Sequence, residues 1–82
     1  MYFVYILRTS KNTLYIGQTN NLEKRLKEHK DKSTKSAKYL RYFSSFDLVY
    51  HEAHPSRQSA MKREIQLKKW PRAKKEAIIV GK

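Results

Sequence analysis

The eight residues MYFVYILR at positions 1 to 8 restrict the fold more than any other part of the chain. Aromatic and β-branched side chains stand at both odd and even positions, so neither face of the strand they form can be left to water. Such a strand belongs in the middle of a sheet, with cover on both sides. SKNT at positions 10 to 13 supplies turn residues and LYIG at 14 to 17 resumes a β pattern, so the first 17 residues read as a hairpin. Tyr5 and Tyr15 then lie on neighbouring strands. A register that pairs odd with odd positions puts both rings on one face.

The rest of the chain supplies the cover. Asn20 followed three residues later by Glu23 has the form of a capping box, and Leu22 and Leu26 give the apolar stripe of a helix running to about residue 31. Residues 31 to 45, DKSTKSAKYLRYFSS, show no clear period and read as a loop with room for a short helix. FDLVYHEA at 46 to 53 alternates as a third strand, and His54-Pro55 ends it. Ser56 can cap a second helix, SRQSAMKREIQLKKW, which Pro71 stops or re-initiates before a last short helix, RAKKEAII. The order is β-β-α-β-α-α, a mixed α/β chain of the α+β kind in which helices pack on a small sheet. At 82 residues it is a single domain, 1-82, with a thin core. The chain has no cysteine, so neither a disulfide nor a thiolate zinc site can reinforce that core. MYFVYIL is too short for a membrane span and lacks both a basic flank and a small-residue cleavage site, which makes a cytoplasmic protein the expectation.

Charge indicates the partner. Nineteen Lys and Arg against 7 Asp and Glu leave a formal net charge of +12. That excess opposes compaction by self-repulsion, and its common use is attraction to phosphate polyanions. A nucleic acid is therefore the expected partner, against a merely solvated surface or an anionic membrane surface. Only Gly17 and Gly81 are available for a phosphate loop, so no nucleotide cofactor is expected. Neither an HExxH motif nor a serine triad is supported. The basic residues are spread along the chain, unlike those of a recognition helix.

Three sets of residues could carry chemistry. Arg25 and His29 are an i, i+4 pair beside Leu22 and Leu26, at the border of the buried stripe. A bland reading is available: long side chains snorkel at a core edge and a histidine satisfies a backbone group. The same geometry recurs in the second helix, where Glu64 projects between Ala60 and Leu67 on one flank and Met61 and Ile65 on the other. A carboxylate placed there needs a cation, which could be Lys68, an arginine such as Arg25, or a metal ion. Tyr5 and Tyr15 alone are ordinary packing residues with a wet tip. With Arg25, His29 and Glu64 they make a set suited to phosphodiester hydrolysis: a carboxylate for a divalent ion, an arginine for developing charge, and a phenol or imidazole to relay a proton.

Phe3-Val4-Tyr5, then Tyr15-Ile16-Gly17, then Arg25 and His29 on the next helix and Glu64 on a later one, together resemble the GIY-YIG nuclease domain. More narrowly, FVYIL, LYIGQTNNLEKRLKEH and REIQLKKWPRAKKEAII are similar to the small stand-alone bacterial members of that family, often described only as predicted endonucleases. The resemblance spans nearly the whole chain, with Phe3 standing where the family name has glycine. It implies a three-stranded antiparallel sheet flanked by helices, with the site on one face. By the same resemblance, Tyr15 acts with water or metal in generating the nucleophile, Tyr5 orients the site and Arg25 contacts the phosphate. Glu64 would bind a single Mg²⁺ or Mn²⁺, His29 matches a proton relay, and Gly17 lets the chain turn close to the site. Arg8, Lys24, Lys38 and Lys68 are the basic residues expected to meet DNA, with RNA as the alternative. Two departures stand out: no asparagine follows Glu64, where Lys68 or Lys69 could substitute, and no targeting domain is attached. The leading expectation is a metal-dependent DNA endonuclease guided by structure or damage, of a repair or recombination type. The alternative is a nucleic-acid-binding module of the same fold with weak or no cleavage, acting with or without a protein partner.

Overall fold

The computed structural model describes residues 1–30 and 45–81. Lys38 and nearly all of the segment 31 to 45 lie outside the described residues. The elements are β1 (Tyr2–Thr9), β2 (Leu14–Thr19), α1 (Leu22–Lys30), β3 (Phe46–His54), α2 (Arg57–Lys69) and α3 (Arg72–Ile79). The order is the one expected. β1 lies between β2 and β3 and is antiparallel to both.

The central strand is buried on both faces, as its composition demands. Val4 and Ile6 point into a core with Ile16 of β2 and Ala60 and Leu67 of α2, closed by Trp70, Ile78 and Ile79. Tyr5 and Leu7 point the other way, into a core with Tyr15, Leu22, Leu26 and Phe46. α2 and α3 thus cover one face and α1 the other. Each fully buried Val, Ile or Leu side chain in these layers contributes about 1.5–3 kcal/mol of transfer free energy.

Short polar contacts fix the corners. In the turn after β1, Asn12 has φ 62°, a left-handed conformation that asparagine tolerates better than other residues with a Cβ. The Thr9 amide donates to the Thr13 carbonyl at 2.9 Å across that turn. The cap of α1 falls one residue later than the sequence pattern suggests: Asn21, not Asn20, accepts from the Lys24 amide at 3.0 Å through Oδ1. The Thr19 hydroxyl accepts from the Asn21 amide at 3.2 Å and so positions this cap. At α2 the cap is as expected, with the Ser59 amide donating to Ser56 Oγ at 3.1 Å.

β3 departs from simple alternation. Its pairing with β1 shifts between Ile6↔Tyr50 and Leu7↔Leu48, so Val49 is an extra residue at a bulge. Beyond the bulge the faces exchange. Tyr50, Glu52 and His54 share the side of Val4 and Ile6, whereas Phe46 reaches the Tyr5 side and packs in that core.

On the α2 and α3 side a polar network joins β3 to α2. Glu52 accepts from Tyr50 Oη, and its other oxygen lies 2.8 Å from both His54 Nε2 and Arg63 Nε. His54 Nδ1 lies 2.8 Å from Ser59 Oγ. Burial alone would raise the Glu52 pKa, but the hydrogen bonds from Tyr50, His54 and Arg63 outweigh it and hold the carboxyl below its ordinary value. Arg63 also stands 4.9 Å from the Trp70 ring centroid, with Lys74 of α3 at 4.3 Å. Arg8 makes a two-pronged contact with Glu76 of α3, which Arg72 shares. The Arg8 and Arg72 contacts bring the Glu76 pKa down to about 2. Replacing Glu52 strands Arg63 and His54 with no carboxylate between the two elements. Glu52→Ala should therefore lower stability by about 2 kcal/mol, read as a shift in urea unfolding midpoint with an unchanged slope.

Candidate active site

The site begins at a register position. Tyr5 pairs with Gly17 across β1 and β2, and Leu7 with Tyr15, so odd faces odd and the two tyrosines share one face with ring centroids 6.4 Å apart. Gly17 does not turn the chain as expected; it lies inside β2, which continues to Thr19. Its importance is spatial. A Cβ there would come within 2.6 Å of Tyr5 Oη and 2.7 Å of Cζ, so the bare backbone makes the bed on which the Tyr5 ring lies.

α1 lays its apolar stripe on this face, and its polar residues come with it. Leu22 and Leu26 are only partly buried, while His29 is 1 % exposed. The His29 ring sits edge-on to Tyr15 and to Phe46, with centroids 5.8 and 6.1 Å away. Its Nε2 is 3.1 Å from Tyr5 Oη, a buried hydrogen bond between side chains. The partner of Nε2 is thus a tyrosine hydroxyl. Burial first, then the positive field of Arg25, lower the His29 pKa to about 4, against the weaker pull of Glu28. The imidazole is neutral at physiological pH.

Tyr5 is shifted the opposite way. Burial and the neighbouring Tyr15 raise its pKa to about 12, with Arg25 pulling down and Glu64 adding a further push upward. The phenol stays protonated. Those same influences show that Arg25 and Glu64 both lie within electrostatic reach of Tyr5. Arg25 Nη1 is 3.3 Å from Glu28 Oε1, a partner three residues along α1. Glu28 escaped the sequence reading although its spacing to Arg25 was visible.

Glu64 arrives from α2, whose buried residues Ala60 and Leu67 belong to the opposite core. The site therefore draws its carboxylate from the other layer and not from one face alone. Met61 and Ile65, expected as an apolar flank, are 40 % and 53 % exposed, which leaves Glu64 at the margin between core and solvent. Lys68 Nζ is 3.2 Å from Glu64 Oε2, its ion-pair partner among the described residues.

The remaining basic residues separate clearly. Arg8 is held by Glu76 on the face opposite Tyr5 and takes no part in the site. Lys24 is exposed on α1, beside Asn21, Lys27 and Lys30. Lys68 lines a groove with Leu14, Tyr15, Ile16 and Lys75. Lys75 could not be found from sequence, since its place depends on how α3 docks.

Among the described residues no cluster of three or more His, Cys, Asp or Glu side chains could enclose an ion. Glu64 fits a more open arrangement. A partly exposed carboxylate can hold Mg²⁺ or Mn²⁺ that keeps water in most positions and takes further oxygens from a phosphate.

The small α+β domain thus carries two tyrosines on paired strands, an arginine and a histidine on α1 and the Glu64 carboxylate on α2. The chain belongs to the GIY-YIG family: the GIY-YIG catalytic domain model matches residues 1–77. Among its relatives, the UPF0213 protein of Clostridium perfringens is 42% identical over 82 residues, covering 100% of this chain and 86% of that one. The UPF0213 protein of Bacillus pumilus is 40% identical over 78 residues, or 95% of this chain and 78% of its own. The solution NMR structure of a UPF0213 protein from Bacillus halodurans aligns with a TM-score of 0.62 at 37% identity, covering 98% of this chain and 84% of that one. No helix among the described residues is long and apolar enough to cross a membrane.

Two outcomes test this geometry. Gly17→Ala should destabilise the protein by about 1–3 kcal/mol, because the buried Tyr5 ring has no free space to enter; thermal and urea unfolding measure it. The second concerns acid. His29 resists protonation when folded, so between pH 6.5 and about 4 the unfolded chain binds more protons and stability falls as pH falls. The loss should reach at most about 3 kcal/mol, and His29→Gln should flatten that part of a stability profile measured by urea unfolding at successive pH values.

Proposed function

We propose that this protein is a divalent-metal-dependent endonuclease that hydrolyses DNA phosphodiester bonds. The observation that carries the reading is the shared neighbourhood of Tyr5, Tyr15, Arg25 and His29 on one face, with Glu64 within electrostatic reach. Each supplies a different requirement of the reaction. Arg25 faces the phosphate and stabilises the charge that grows on its oxygens. Tyr15 orients the attacking water from the outer strand. His29, a neutral imidazole hydrogen-bonded to the Tyr5 hydroxyl, is the proton relay, and Tyr5 orients it. Glu64 would hold a single Mg²⁺ or Mn²⁺, which when bound polarises the phosphate as a Lewis acid.

The formal charge of +12 favours a polyanionic substrate and gives rapid, salt-sensitive encounter. With no recognition element in the described fold, branched, nicked or damaged DNA is a better substrate than a base sequence, in keeping with a repair or recombination role. A second reading, binding without efficient cleavage, is favoured by the absence, among the described residues, of any group of three or more His, Cys, Asp or Glu that could enclose an ion. The two separate in one experiment. Purified protein incubated with branched, nicked and plain duplex DNA in Mg²⁺ or Mn²⁺ should give defined products, absent in EDTA and in Glu64→Ala and reduced by about 10²-fold or more in Arg25→Ala. If wild type and Glu64→Ala are equally inert on all substrates while binding them alike, the hydrolytic reading is wrong and the binding module stands.

A further inference from the structure

We propose that Lys68 is a cation displaced by the metal. It neutralises Glu64 when no divalent ion is present, and once released it holds, with Lys75, a backbone phosphate of the DNA strand in the groove beside Tyr15. This rests on the reading of Glu64 as the metal-holding residue.

The geometry on which it stands is the Glu64–Lys68 pair and the groove next to it. The ammonium is 3.2 Å from Glu64 Oε2, one helical turn away, and the Lys68 side chain is 57 % exposed. The ammonium stays hydrated and its long side chain must be held still, which limits what the pair contributes, although the Glu64 side chain is only 20 % exposed. A divalent ion on the same carboxylate attracts it more strongly and repels the ammonium at short range. Lys68 must then move away, and its flexible stem gives it somewhere to go.

The destination is defined by what already surrounds it. Lys68 lines a groove of about 410 Å³ together with Leu14, Tyr15, Ile16 and Lys75, along β2, which is an edge strand of the sheet. That volume lies in the range of ligand clefts. Among the described residues two lysines and no carboxylate line it, and no ion pair takes up Lys75. Tyr15 belongs both to this groove and to the face that carries Tyr5 and His29, so a strand whose scissile phosphate meets Arg25 can place a neighbouring phosphate here. The chemistry that fits is a phosphodiester monoanion bridged by two ammonium groups, one present at all times and one supplied only with the metal. Phosphate binding and metal binding are then coupled through a single side chain.

Two measurements test this without relying on cleavage. In a Mn²⁺ titration without DNA, followed by paramagnetic broadening of amide signals from residues 60 to 68, Lys68→Met should bind the ion about 3- to 10-fold more tightly than wild type, and Glu64→Gln should bind little. In fluorescence anisotropy with a DNA duplex, Ca²⁺ in place of EDTA should steepen the wild-type salt dependence by about one phosphate contact. Lys68→Met should lose that increment, while Lys75→Met should lose about one contact in both conditions. If Glu64→Gln abolishes Mn²⁺ binding but Lys68→Met binds it no more tightly than wild type, displacement is wrong and the metal reading survives. If the Ca²⁺ increment persists in Lys68→Met, the phosphate role is wrong. If neither wild type nor Lys68→Met shows Mn²⁺ broadening near Glu64, the metal reading fails and this proposal fails with it.

Discussion

The Tyr5 ring lying on Gly17 is the contact on which the rest of the site depends. β1 and β2 approach at ordinary sheet spacing, and only a residue without a Cβ at the position opposite Tyr5 leaves room for the ring across the pair. The hydroxyl is thereby directed to His29, and that bond joins the central strand to α1 through a fully buried polar contact. A buried hydrogen bond of this kind fixes α1 in position more sharply than apolar contact, since sliding the helix would leave both groups unsatisfied. Arg25, one turn earlier on the same helix, is located by the same constraint.

The two faces of β1 divide the labour. On the α2 and α3 side, acidic residues are consumed in joining elements: Glu52 with Arg63 and His54, and Glu76 with Arg8 and Arg72. Of the 7 acidic residues in the chain, these two lie where they neutralise structural arginines, on the face opposite Tyr5 and Tyr15. Glu64 is set at the border between layers. α1 still carries four Lys and Arg against two Glu, and α2 and α3 together carry eight against two, so positive charge remains in excess on both faces, with Lys68 and Lys75 beside the β2 edge. Self-repulsion from a +12 chain is thus partly offset by the ion pairs that join the elements.

Much of this was legible in the sequence because it follows from period and composition. The two-sided apolar character of MYFVYILR required a central strand, whereas the pairing of odd with odd positions was left open there and is given by the β1–β2 register. The inward placement of Arg25, His29 and Glu64 was readable from helical spacing. What was not legible depends on three dimensions. FDLVYHEA reads as a regular strand, and nothing in it announces that Val49 bulges out and sends Phe46 to the opposite face, against His29. Met61 and Ile65 have the right spacing for a core flank, but α2 meets the sheet through Ala60 and Leu67, which leaves them outside. The ion pair of Arg8 with Glu76, 68 residues away, could not be read from the sequence. Gly17 suggested a turn, yet its missing side chain matters for a ring on the next strand.

The acid-base character of the site follows from the same distribution of charge. A histidine exposed to water would be partly protonated near neutrality and would then have no lone pair to offer. Here burial, and after it the fixed charge of Arg25, bring its pKa to about 4, so one ring nitrogen keeps its lone pair across the physiological range. Tyr5 is raised to about 12 by burial and by the neighbouring Tyr15, with Glu64 the least of the upward influences. The two shifts oppose each other, and the proton rests on the phenol. Arg25 acts on both groups in the same sense, lowering Tyr5 from the value that burial alone would give it and His29 below its ordinary value. A charge that masks Arg25 would therefore raise both together, and the order of the two pKa values is fixed by burial and not by what binds.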